Sequence, residues 1–120
     1  NYGWPVITYG MNYDGTPMTS KTHEAGMDQP LIYWVPSIAT CGLDFYTGDK
    51  FPGWKNDLLA GALKNQEIRR LRIIDGKVTE QEIIMKDLGR VRDVADAPDG
   101  NIYVLLNGPD SIVRIVPESK

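Results

Sequence analysis

A single cysteine, a single histidine and two phenylalanines stand in 120 residues, and acidic side chains outnumber basic ones, 16 against 13. Cys41 has no partner for an internal disulfide, and with His23, the one histidine, it cannot by itself build a zinc site. The net charge of −3 leaves no cationic excess to displace counterions from a polyphosphate backbone, which excludes a nucleic-acid binder of that kind. Long apolar runs are missing as well. The stretch 31–45 is interrupted by Pro36, Thr40, Gly42 and Asp44, far short of the roughly 20 apolar residues that a membrane-spanning helix needs. The first residues hold no basic segment followed by an apolar one, so no targeting signal is expected within this chain. Sustained helical periodicity is also lacking.

What is present is the composition of a globular domain, with 42% hydrophobic and 24% charged residues, and a β pattern punctuated by glycine, proline and Asp-Gly pairs. Residues 42–46, 57–63, 68–74 and 78–85 form one set of strand-length apolar or alternating runs. Residues 91–97, 102–106 and 112–116 form a second. Asp75-Gly76 and Asp99-Gly100 fall between runs as hairpin turns. Laid over one another at an offset of 44, Leu58-Leu59-Ala60 meets Ile102-Tyr103-Val104, Ile68 meets Ile112, Arg70 meets Arg114 and Leu71 meets Ile115. A repeat of about 40–50 residues with about four short strands per unit is the pattern of a β-propeller blade. The expected fold is therefore all-β, with loops over 1–37, one blade over 38–87 and a last, incomplete blade over 88–117. Its missing fourth strand would come from elsewhere, as when the N-terminus of a propeller closes its final blade. Two blades cannot close a ring, so the chain is expected to be about the last third of a larger propeller whose upstream blades are its partner.

Lys64 follows the second run, and Arg90 and Arg92 enter the fifth at i and i+2, which on an extended backbone turns both side chains to one side. These three cations could converge on a polyanionic ligand, with arginine suited to holding a planar carboxylate bidentately, or they could be solvated charges at blade ends. Asn12-Tyr13-Asp14 and Tyr33-Trp34 put aromatic rings in loops, as stacking surfaces or as packing. His23 lies in a polar stretch and reads as solvated rather than as a general base. Cys41 reads as a small buried residue. Asp93, Asp96 and Asp99 alternate near a turn; a calcium site is conceivable there, although Asp99 is explained by its hairpin.

Asn1-Tyr2-Gly3-Trp4-Pro5, Leu43-Asp44-Phe45-Tyr46-Thr47-Gly48 with Phe51-Pro52-Gly53-Trp54, the run 58–64, Arg90-Val91-Arg92-Asp93-Val94 and Pro98-Asp99-Gly100-Asn101-Ile102-Tyr103-Val104 follow one another in the order of a known family. The chain resembles the C-terminal part of the soluble quinoprotein glucose/sorbosone dehydrogenases, and among them the periplasmic aldose sugar dehydrogenases of bacteria. The resemblance covers nearly the whole chain. It implies a six-bladed β-propeller that binds pyrroloquinoline quinone (PQQ) and calcium and oxidises aldoses to lactones. The family's strand-end lysine matches Lys64 and its Arg-x-Arg-Asp matches Arg90 and Arg92, which implies that these three hold the cofactor. Tyr13 is implied as a further cofactor contact, Trp34 as a border of the sugar pocket, and the main-chain carbonyl of Tyr2 as a ligand of a structural calcium. The general-base histidine would lie upstream of Asn1, and His23 does not correspond to it, so no catalytic residue is expected in this chain. The resemblance also implies a periplasmic location, and leaves the electron acceptor open. Two competing readings remain, a non-catalytic propeller binding module and a calcium-dependent lactone hydrolase.

Overall fold

The computed structural model describes residues 2, 3, 6, 8–12 and 16–118. Among them are seven strands and no helix: β1 (Thr40–Phe45), β2 (Leu58–Ala62), β3 (Glu67–Ile74), β4 (Lys77–Lys86), β5 (Arg90–Asp96), β6 (Ile102–Asn107) and β7 (Ser111–Ile115). All seven strands expected from the sequence are present, with ends moved by one or two residues. The chain divides into two compact units, Asn1–Ile38 and Ala39–Lys120. The first carries one isolated bridge, Met11 with Pro17, and a stack of Tyr9 on Tyr33 with ring centroids 3.6 Å apart.

The second unit holds both sheets. Strands β1 to β4 form an antiparallel meander in chain order, and β5 to β7 form another. Asp75 and Gly76 both take positive φ, 51° and 74°, the conformation that a two-residue hairpin between twisted strands requires. Residues 87–89 then carry the chain from the last strand of one sheet to the first strand of the next, the connection of successive propeller blades. Equivalent strands β2 and β6 start 44 residues apart, at Leu58 and Ile102, and so do β3 and β7, at Glu67 and Ser111. The first strands, β1 and β5, are spaced more widely because the 46–57 loop is longer than the 97–101 loop.

Alternation decides which face each strand buries. Ile102, Val104 and Leu106 of β6 point into the core with Val91 and Val94 of β5, where they meet Leu59, Ile68 and Met85 of the other sheet. Removing these side chains from water drives the two sheets together, at about 25 cal/mol per Å² of apolar surface. At one end of the pair, buried Tyr46 donates its hydroxyl to the Gly100 carbonyl at 2.7 Å and accepts from the Lys50 and Phe51 amides. The Asp96 amide donates to Asp44 Oδ2 at 2.9 Å across the same sheets.

Candidate functional site

The candidate cations lie at the opposite end of the two sheets. Antiparallel register places Ala62 of β2 beside Thr40 of β1 and Glu67 of β3, and Arg90 of β5 beside Asn107 of β6. The start of β1, the turn 63–66, the end of β4 and the start of β5 therefore share one edge. Lys64 stands exposed in that turn, and Arg90 and Arg92 are exposed on β5 with Val91 buried between them.

Two bulges shape this edge. The register of β5 slips between Val91 and Asp93, so Arg92 and Asp93 both face outward before Val94 turns back to the core. The register of β1 slips between Thr40 and Leu43. There Gly42 takes φ +83° and lies so close to β5 that an added Cβ would fall 2.7 Å from Asp93 Cα. Cys41, in the same bulge, donates its thiol to the Arg92 carbonyl oxygen at 3.1 Å. It is half-buried rather than fully buried as expected, because a bulge residue is shared between interior and edge.

The cations at this edge are not equivalent. Lys86 is committed, donating to Glu67 Oε1 and to the Asn65 carbonyl, each at 2.9 Å. Burial pushes the Glu67 carboxyl up, but hydrogen bonds from Lys86 and Arg69 outweigh it and hold the group below its ordinary value. The side chains of Lys64 and Arg90 have no hydrogen-bonding or ionic partner among the described residues. Arg92 donates Nη2 to a neutral acceptor, Asn107 Oδ1, at 3.3 Å. The edge thus presents three positive charges that no carboxylate among the described residues pairs, an arrangement suited to an anion bearing several carboxylates.

The other charge cluster is structural. Arg70, 3% exposed, donates to Asp57 and Glu80 at 2.6 Å and to Glu82 at 2.5 Å, with the Trp54 ring 5.3 Å from its guanidinium carbon. Burial favours loss of its proton, yet the three carboxylates prevail and raise its pKa above the ordinary arginine value. Arg72 joins through Asp57 at 3.0 Å. Sequence reading missed this network, since its members are scattered over β3, β4 and the 46–57 loop.

Of the remaining candidates, Tyr13 lies outside the described residues. Tyr2 is exposed and Trp34 half-buried, both in the first unit. His23 is exposed, its Nδ1 2.8 Å from Thr22 Oγ1. Asp99 accepts from the Asn101 amide at 2.9 Å and the Tyr103 hydroxyl at 2.8 Å, and both lower its pKa. Asp93 accepts from the Val94 amide and Asp96 from Thr47 Oγ1. These three carboxylates serve turns and strand contacts, and the described residues contain no cluster of three or more His, Cys, Asp or Glu able to hold a metal ion. Among the described residues no helix is long and apolar enough to cross a membrane.

The glucose/sorbosone dehydrogenase family model matches residues 1–114. The chain is 45% identical to the aldose sugar dehydrogenase YliI of Escherichia coli, over 99% of this chain and 33% of that protein. A crystal structure of a glucose dehydrogenase superposes with a TM-score of 0.88 at 38% identity, covering 99% of this chain and 36% of the other. The soluble aldose sugar dehydrogenase of Escherichia coli in its apo-form gives a TM-score of 0.84 at 41% identity, covering 95% of this chain and 34% of the other. The chain spans about a quarter to a third of the length of the curated relatives it matches.

Proposed function

Because the chain belongs to the glucose/sorbosone dehydrogenase family, we propose that it forms part of a quinoprotein sugar dehydrogenase acting on aldoses in the periplasm, and that its exposed cations hold PQQ. The observation that carries this reading is the edge at which the side chains of Lys64 and Arg90 lack partners among the described residues while that of Arg92 is met only by a neutral amide. Such an edge fits a tricarboxylate, because each cation can add a charge-assisted hydrogen bond without first breaking an ion pair. A metal-dependent hydrolase would call for carboxylates in the same place. When bound, the quinone would supply the two-electron acceptance that no side chain of this chain can provide.

The work of the chain's own residues is to bind and orient. Arg90 and Arg92, planar and permanently charged, suit bidentate contacts with ring carboxylates, and Lys64 acts as a point charge toward an oxygen whose negative charge grows on reduction. Their combined field favours the reduced, more anionic cofactor. Trp34 would border the aldose and Tyr13 would add a cofactor contact. The Tyr2 carbonyl would contribute to a calcium site, a ligand type in keeping with a hard cation. The proton-accepting histidine and the remaining blades of a six-bladed propeller would be supplied by chain outside these 120 residues.

The test uses the natural polypeptide that carries this sequence, titrated with PQQ in the presence of calcium and then assayed for aldose-dependent dye reduction. Binding with turnover is expected, and Lys64→Ala should weaken cofactor binding about tenfold or more, the worth of a charge-assisted contact. Absence of PQQ binding, or an unchanged affinity in Lys64→Ala, would overturn the assignment.

A further inference from the structure

Arg92 is held from two directions. On the main-chain side its carbonyl accepts the Cys41 thiol at 3.1 Å. On the side-chain side Nη2 donates to Asn107 Oδ1 at 3.3 Å, and Asn107 Nδ2 in turn donates to Asp110 Oδ1 at 2.6 Å. The Gly108 amide also points to Asp110 Oδ1, at 3.4 Å. A carboxamide can present either its oxygen or its NH2 group to a neighbour, but here only one orientation satisfies both. The reverse would set the amide oxygen against the Asp110 carboxylate and the NH2 against the guanidinium.

We propose that Asn107, locked by Asp110, is a positioning residue that aims the Arg92 guanidinium at the ligand while leaving its positive charge uncompensated. The inference rests on the reading of this edge as the PQQ site. A carboxylate at position 107 would orient the guanidinium equally well, but it would also neutralise the charge that an incoming carboxylate needs. A neutral acceptor occupies one of the five N–H donors and leaves the rest, with the full charge, for a bidentate contact. Asp110 keeps its own charge one residue pair further away, spent on the Asn107 amide and the turn.

Equilibrium PQQ titration of the natural polypeptide, with calcium present, reads this directly. Exchanging the two groups, Asn107→Asp with Asp110→Asn, preserves the hydrogen bond across the turn and changes only which member carries the charge. This variant should keep the thermal midpoint of the parent and bind PQQ about tenfold more weakly, with the aldose KM unchanged at saturating cofactor. Asn107→Leu should weaken binding to a similar degree, and in an Arg92→Ala background it should have no further effect, since the two act through one contact. Parental affinity in the exchanged variant would overturn the proposal, as would an Asn107→Leu loss that persists without Arg92. If the parent does not bind PQQ, or Arg92→Ala binds like the parent, the underlying reading of the site falls as well. Dependence on Arg92 without dependence on Asn107 overturns the positioning role alone.

Discussion

Gly61 and Gly42 show how single residues set the geometry of the cation edge. Gly61, buried in β2, has no positive φ to explain it; a Cβ there would fall against the Val91 side chain and within 2.5 Å of the Cys41 carbonyl oxygen. The requirement is steric, and it concerns the residues that flank Arg92 on one side and donate to it on the other. Gly61→Ala is therefore expected to destabilise the fold by about 1–3 kcal/mol, as overpacking of a tight interior does, measurable by denaturant titration. Gly76 offers the contrast, since its added Cβ would meet nothing within 4 Å and the cost there is the strain of a positive φ alone, about 1–2 kcal/mol. A smaller loss for Gly61→Ala than for Gly76→Ala would contradict the steric account. Neither the close approach nor the inter-sheet hydrogen bond of Cys41 was legible in the sequence, where Gly42 and Gly61 look like any other strand glycine. The exposure of Lys64, Arg90 and Arg92 was legible, because turn position and alternation decide it locally.

At the scale of elements, β3 joins the two ends of its sheet with charge. Its first residue, Glu67, is 1% exposed and paired with Lys86 and Arg69, while Arg70 satisfies three carboxylates at the other end. The folded Glu67 carboxyl titrates below its ordinary value of 4.5, so the unfolded chain takes up the proton first as pH falls. The stabilisation is fully present above the unfolded value and is lost as pH drops through the folded one. Thermal midpoints followed from neutral pH into this acid range should show the parent above Glu67→Gln at neutral pH and the two converging on acidification. A constant gap would show that the ion pairs with Glu67 contribute nothing that titrates. The strands themselves were readable from period-two patterning and the Asp-Gly turns. The bulges in β1 and β5 were not, since one extra residue in a strand leaves the composition unchanged and appears only when the partner strand fixes the register.

For the unit that holds both sheets, the exposed apolar faces matter most. Leu43 and Phe45 on β1 are 64% and 51% exposed, and Leu105 and Ile112 on β6 and β7 are 46% and 73% exposed. Ala95, Tyr103, Leu105 and Ile112 line a shallow cavity of about 170 Å³ on one such face. Faces of this kind are covered in a closed propeller by neighbouring blades, and uncovered they favour association. Sedimentation of the 120-residue chain by itself should show an average mass that rises with concentration, reduced when Leu105 and Ile112 are both replaced by threonine. A concentration-independent monomer of 13.4 kDa would argue that these faces are tolerated in water and would weaken the propeller-segment reading.

The sequence by itself determined the all-β class, the seven strands, the 44-residue repeat and, through its ordered motifs, the family, because strand periodicity, turn chemistry and motif order are properties of neighbours along the chain. Only the tertiary structure decided which cations remain unpaired. Lys86 and Lys64 are the same residue type near the same edge, yet one finds Glu67 across a strand pair and the other finds nothing among the described residues. Pairing depends on distances between strands, which register and bulges set, and no local pattern encodes them. The same holds for Asn107, an ordinary turn residue in sequence, whose amide acquires a direction only from Asp110 on one side and Arg92 on the other.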